Sequence, residues 1–181
     1  MEGDPLRRAA HALLQGDLRA PAETLAQAAE WARSQLPTGV TFATHFDEAL
    51  PARLPVPADF LETMVSNLLV NAADASAEGG RIELSAWRRG KVDFTCTCCT
   101  GRVTGSAVLI AVADQGEGMA PEVIARAFVP FFSTRQGSHR RGLGLSVVNG
   151  LVHACGGHVS VGAAPGGGTI VTLCLPLADE A

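Results

Sequence analysis

Three polar side chains, Asn67, Asn71 and Asp74, recur along the apolar stretch Ser66-Asn67-Leu68-Leu69-Val70-Asn71-Ala72-Ala73-Asp74-Ala75. On a helix, Asn67 and Asn71 are four residues apart and share a face, and Asp74 falls on the same side. Neutral amide oxygens beside a carboxylate suit a Mg²⁺ ion that already carries a polyphosphate, because Mg²⁺ takes few protein ligands and keeps phosphate and water oxygens. The commoner meaning of such a face is a solvated side of an amphipathic helix. A second group is Asp114-Gln115-Gly116-Glu117-Gly118-Met119, which follows the apolar run Ala107 to Ala113. An Asp at the lip of a buried strand can accept from an exocyclic amine such as that of adenine. Gly116 and Gly118 lack a Cβ, so the backbone there can lie against a ligand or turn through positive φ. A third is Gly142-Leu143-Gly144-Leu145-Ser146, which opens a helix whose free N–H groups would point at an anion. Lastly, Cys96 and Cys99 form a C-x-x-C pair in Cys96-Thr97-Cys98-Cys99. Zinc needs four ligands. With no second pair apparent, these cysteines are read as a surface-loop decoration. Cys155 and Cys174 are read as buried, inert thiols.

The elements that must position these groups follow from hydrophobic period and punctuation. Leu6 to Leu18 could form a short helix broken by Gly16. Pro21 opens a helix to Leu36 with Leu25, Ala28, Ala29 and Ala32 on one face. Val40 to Phe46 alternates as a strand, and three prolines make 47–57 a loop. Leu61, Val65, Leu68, Leu69 and Ala72 predict a long helix over Ala58 to Ala77, closed by Gly79-Gly80. Arg81 to Trp87 alternates as a half-buried strand with Ile82, Leu84 and Ala86 inward. The region 88–106 reads as a polar connection to the apolar strand before Asp114. Pro121 to Ala127 and Gly142 to Cys155 read as helices. His158 to Val161 and Thr169 to Leu175 read as a hairpin around Pro165-Gly166-Gly167-Gly168. The order helix, strand, helix, strand, strand, helix, helix, strand, strand implies an α/β fold with a mixed, mostly antiparallel sheet covered by helices on one face.

The bulk numbers narrow the function. At 181 residues the chain fits one domain, and 47% apolar content supports a sizeable core. A formal charge of −4 excludes a general nucleic-acid binder, which needs a basic surface. No apolar run approaches the roughly 20 residues of a membrane helix, and the N-terminus lacks a signal-peptide pattern. Five cysteines without a regular framework point to a reducing cytoplasm.

Taken together, these stretches resemble the catalytic ATP-binding domain of bacterial sensor histidine kinases, in the superfamily shared with gyrase, mismatch-repair and heat-shock-chaperone ATPases. Residues 66–75 match its N box, 114–119 its first glycine box, Phe128-Val129-Pro130-Phe131-Phe132-Ser133-Thr134 its phenylalanine box and 142–146 its second glycine box. Pro165 to Thr169 looks like its last glycine turn. Four motifs in order are far more specific than any one. The resemblance covers roughly residues 38 to 176.

The resemblance implies a Bergerat-type sandwich over 38–178, preceded by an N-terminal helical or linker segment over 1–37. ATP would lie between the N-box helix and a lid at about 128–141. Asn71 would ligate Mg²⁺, with Asn67 on the phosphate side. Asp114 would accept from the adenine amine, with Gly116, Gly118 and Met119 beside the ring. Further nucleotide contacts are implied at Asp74, Phe131, Phe132, Thr134, Arg140, Gly142, Leu143, Gly144, Leu145 and Thr169. Phe131 and Phe132 are expected to anchor the lid base by burial. Asn67, Asn71 and Arg135 are the implied catalytic residues, and His139, Arg140 and Arg141 add lid cations. Family members commonly carry a glycine two residues before Gly142, where this chain has Arg140.

Hydrolytic members of the superfamily place a general-base Glu where Asn67 stands. An amide cannot take that proton, and Glu62 lies about 140° round the helix. The expected reaction is therefore phosphoryl transfer to a nucleophile from elsewhere. His11, His45, His139, His153 and His158 all lack the context of a phosphoacceptor. The implied partners are a phosphoacceptor histidine domain in trans, or removed from this chain, and a downstream response regulator. The isolated chain is expected to be a monomer, with no membrane or nucleic-acid contact. The alternatives are a serine kinase of the anti-sigma type, against which the phenylalanine box speaks, and a degenerate nucleotide- or partner-binding module, favoured by Arg140 alone.

Overall fold

The computed structural model describes residues 20–76, 79–134 and 142–177. The helix expected within Leu6 to Leu18 lies outside these residues, as do His11 and the lid residues Arg135, His139, Arg140 and Arg141. The described elements are α1 (Pro21–Gln35), β1 (Thr41–Phe46), α2 (Ala58–Ala75), β2 (Arg81–Thr95), β3 (Arg102–Asp114), α3 (Pro121–Ile124), α4 (Gly144–Ala154), β4 (His158–Ala163) and β5 (Thr169–Pro176). Their order is the one the sequence implies.

The strands form one mixed sheet in the order β1-β2-β3-β5-β4. β1 runs parallel to β2, and every other pair is antiparallel. The inward residues of the central strands, Ile82, Leu84, Val108, Ile110, Leu173 and Leu175, are fully buried. They pack with Leu61, Met64, Val65, Leu68 and Leu69 of α2 and with Val148 and Val152 of α4 in the main core. The apolar stripe of α1, Leu25 with Ala28, Ala29 and Ala32, joins the same core. Pro21 sits where a helix needs no N–H. At the end of α2, the Ser76 N–H turns back to the carbonyls of Ala72 and Ala73, and Gly79 follows at a φ of +84°.

One expectation fails in an informative way. The region 88–106 is a long hairpin rather than a polar connection, because β2 continues to Thr95 and β3 starts at Arg102. Val92, Phe94 and Val103 keep the period of a strand beyond Trp87. Val92 and Val103 bury with Ala107 and Cys174, against Phe94 and Leu109, in a second small cluster. The pairing slips between Arg89 and Val92, which hides the alternation. At the far end, Arg102 donates two hydrogen bonds to Asp93, at 2.6 and 2.5 Å. The hydrogen bonds and charge of Arg102 hold the exposed Asp93 carboxyl below its ordinary range. The hairpin tip then reaches β4. Thr97 N–H donates to the Val159 carbonyl at 2.9 Å, and Val161 N–H donates to Thr97 Oγ1 at 3.0 Å.

Candidate active site

One cleft of about 820 Å³ opens between α2, the end of β3 and the start of α4, a size suited to a small-molecule ligand. Asn67, Asn71 and Asp74 of α2 line it, as do Asp114, Gly118, Met119, Phe132, Thr134, Gly142, Leu143, Gly144, Leu145 and Thr169. Side chains that periodicity alone did not single out complete the walls: Val112, Val123, Ala127 and Val171. Two of these carried a readable signal. Val112 lies two residues before Asp114 on the same face of β3, and it is paired with Val171 across β5.

Asp114 is buried at 6% exposure. Its Oδ1 accepts from the Gly116 N–H at 2.8 Å and from the Thr169 N–H at 3.2 Å. Both of these bonds fall on one oxygen. The carboxylate is thereby oriented at the cleft wall by backbone from two separate loops.

Gly116 does not line the cleft. A Cβ there would collide with the Ala75 carbonyl, so this glycine lets the loop close on the end of α2 rather than on a ligand. Gly118 has a φ of +76°, and a Cβ on it would lie 3.3 Å from the Gly168 carbonyl oxygen. Gly168, at a φ of +84°, leaves no room for a Cβ against the Asp114 carbonyl. The last glycine turn therefore braces the Asp114 loop from below.

At the other end of the cleft, Gly144 begins α4 beside both amides. A Cβ on it would lie 3.2 Å from the Asn71 amide atoms and 3.3 Å from Asn67 Oδ1. Asn67 is oriented within α2 by Nδ2–H donation to the Thr63 carbonyl at 2.8 Å. The first turn of an 11-residue helix, whose leading N–H groups lack helical partners, thus meets the amide face of α2. Gly142 precedes it at a φ of +65°.

Phe131 does not anchor by burial. It is 72% exposed, takes a φ of +66° and lies outside the cleft lining. The loop base is instead held by the Phe131 N–H, which donates to the Gly142 carbonyl at 3.0 Å. A hydrogen-bonded turn through positive φ forces the ring outward. Phe132 does face the cleft and lies 4.3 Å beneath the Arg126 guanidinium. Arg135 and Arg140 are outside the described residues.

A family model described as "Histidine kinase-, DNA gyrase B-, and HSP90-like ATPase" matches residues 57–179. The sensor kinase CckA of Brucella abortus (strain 2308) is 35% identical over 124 residues, which is 67% of this chain and 13% of that protein. The alginate biosynthesis sensor protein KinB of Pseudomonas aeruginosa is 33% identical over 138 residues, 76% of this chain and 20% of that protein. The chain spans a quarter or less of the length of the curated relatives it matches. Among solved structures, a mycobacterial sensor histidine kinase, MprB, superposes with a TM-score of 0.68 at 25% identity, covering 86% of this chain and 94% of that one. Full-length ShkA in complex with AMPPNP gives a TM-score of 0.68 at 28% identity, covering 97% of this chain and 34% of that one. The chain belongs to the histidine kinase-, DNA gyrase B- and HSP90-like ATPase family, as a catalytic ATP-binding domain of the sensor histidine kinase kind.

Proposed function

We propose that this chain binds Mg-ATP in the cleft and delivers the γ-phosphoryl group to a histidine carried by another domain or chain. The observation that carries this reading is the pairing of two unlike ends in one cleft. At one end is an oriented carboxylate among apolar walls. At the other, two amides face the start of a helix.

The adenine would lie against Val112, Val171 and Met119, with its amine donating to Asp114 Oδ2. The phosphates would take the leading N–H groups of α4, with Asn67 beside them. The amide oxygens at this end fit Mg²⁺ that brings its own phosphate ligands, and Asn71 would hold it. When bound, Mg²⁺ neutralises phosphate charge. Arg135 and Arg140 would act from a lid spanning about 128–141, and the ATP-binding unit would be 38–178 with α1 packed on it. The setting is cytoplasmic, with a phosphoacceptor histidine domain, in trans or removed from this chain, as the acceptor and a response regulator downstream. Among the described residues, no helix is long and apolar enough to cross a membrane.

Asn67 offers no base for water, so the bound nucleotide should persist. Incubated alone with γ-labelled ATP, the chain should retain nucleotide, stay unlabelled and release phosphate slowly. Asn67→Glu, which installs a general base, should raise phosphate release at least about tenfold. A stable phosphohistidine on the chain alone, or rapid hydrolysis by the unsubstituted chain, would contradict the reading.

A further inference from the structure

The C-x-x-C pair has partners that lie far away in the sequence. Cys96, Cys99, His153 and His158 each aim one ligand atom at a common point, and these four atoms all lie within 4.8 Å of one another. His153 and His158 form an H-x₄-H pair across the end of α4 and the start of β4. Their spacing, like that of the cysteines, falls within the range that zinc sites use. Against the expectation of a surface decoration, Cys96 is only 2% exposed, while Cys99 is exposed beside it.

We propose that Cys96, Cys99, His153 and His158 form a structural zinc site. A tetrahedral ion with ~2.3 Å bonds to sulfur and ~2.0 Å bonds to nitrogen separates S from N by about 3.5 Å. His153 Nε2 lies 3.4 Å from Cys99 Sγ and 3.6 Å from Cys96 Sγ, and His158 Nδ1 lies 3.5 Å from Cys99 Sγ. These three S···N distances match edges of such a tetrahedron, and the remaining pairs among the four atoms lie within 4.8 Å. The surrounding groups are arranged as for ligands. His153 Nδ1 lies 2.8 Å from the Asn149 carbonyl, so it carries the ring proton and leaves Nε2 as the donor to metal. The Gly101 N–H points at Cys99 Sγ at 3.4 Å, the kind of donor that supports a thiolate. A Cβ on Gly101 would sit 2.8 Å from His158 Cε1, so glycine lets the ring close on the knuckle.

Cys98 is the competing thiol. Its Sγ is 3.2 Å from Cys96 Sγ and 3.7 Å from His153 Nε2, but it donates to Asn149 Oδ1 at 3.0 Å and stands outside the four. Four protein ligands fill a zinc coordination sphere, so the site is structural rather than catalytic. It would tie the tip of the β2–β3 hairpin to the last turn of α4, whose first turn faces Asn67 and Asn71. This inference is independent of the nucleotide reading.

The test uses the full untagged chain, purified under reducing conditions without added metal or chelator. Elemental analysis should find about one zinc per chain. His153→Ala and Cys99→Ser should each lose most of it, while Cys98→Ser should keep it. Because a ligand variant can lose the fold as well as the ion, the unsubstituted chain stripped of metal is also titrated with Co²⁺. Intense visible bands of tetrahedral cobalt with thiolate charge transfer are expected. Metal-free protein that takes up no zinc at micromolar concentration overturns the proposal. So does a weak octahedral cobalt spectrum, a Cys96–Cys98 disulfide in its place, or equal zinc loss in Cys98→Ser.

Discussion

Asp114 and Gly168 meet backbone to backbone, and that contact decides how the carboxylate is presented. The carboxylate is oriented by two N–H donors, one of which, from Thr169, follows Gly168 in the chain. Gly168 combines a φ of +84° with no space for a Cβ against the Asp114 carbonyl. An alanine there meets both a left-handed backbone penalty and a clash. Gly168→Ala should destabilise the fold by about 2–4 kcal/mol and lower the melting temperature by roughly 5–12 °C. A thermal scan that places the variant within about 2 °C of the unsubstituted chain would show that the turn relaxes freely.

At the scale of elements, α2 and the strand before Asp114 were legible because each has an unbroken apolar period and a clear stop. The amide face of α2 was legible for the same reason, since helical spacing alone groups Asn67 with Asn71 and Asp74. Phe131 was misread because a phenylalanine in an aromatic run implies burial, whereas its turn, closed onto Gly142, takes positive φ and turns the ring outward. The outer half of the β2–β3 hairpin was missed because the register slip between Arg89 and Val92 breaks the alternation. That error concealed the next one. Only when β2 and β3 are extended does their turn reach β4 and bring Cys96 and Cys99 to His153 and His158. The histidine spacing was present in the sequence, but 53 residues separate Cys99 from His153 and no local rule joins them.

At the scale of the molecule, burial of titratable groups links the fold to pH. Cys174 lies fully buried on the sheet face away from the main core. Burial pushes its thiol from 9.0 up to about 11. The folded chain therefore keeps this proton where the unfolded chain releases it. The resulting stability is fully present below pH 9.0 and is lost as the pH rises to about 11. Melting temperatures measured across that interval should fall, and Cys174→Ala should flatten the decline. Parallel slopes for the two proteins would mean that this thiol does not contribute to it.

The nucleotide cleft is likewise a property of the whole molecule, since α2, β3, β5 and α4 each supply part of it. Calorimetric titration of Mg-ADP into the unsubstituted chain and into Asp114→Asn tests it most directly. Asparagine keeps the size of the side chain and an oxygen for the Gly116 and Thr169 N–H donors. It then turns an NH₂ toward the cleft, where the adenine amine would meet a donor instead of an acceptor. The unsubstituted chain should bind, and Asp114→Asn should bind at least about tenfold more weakly while still unfolding cooperatively. Equal affinity in the two proteins, or no binding by the unsubstituted chain, would contradict the assignment of this cleft.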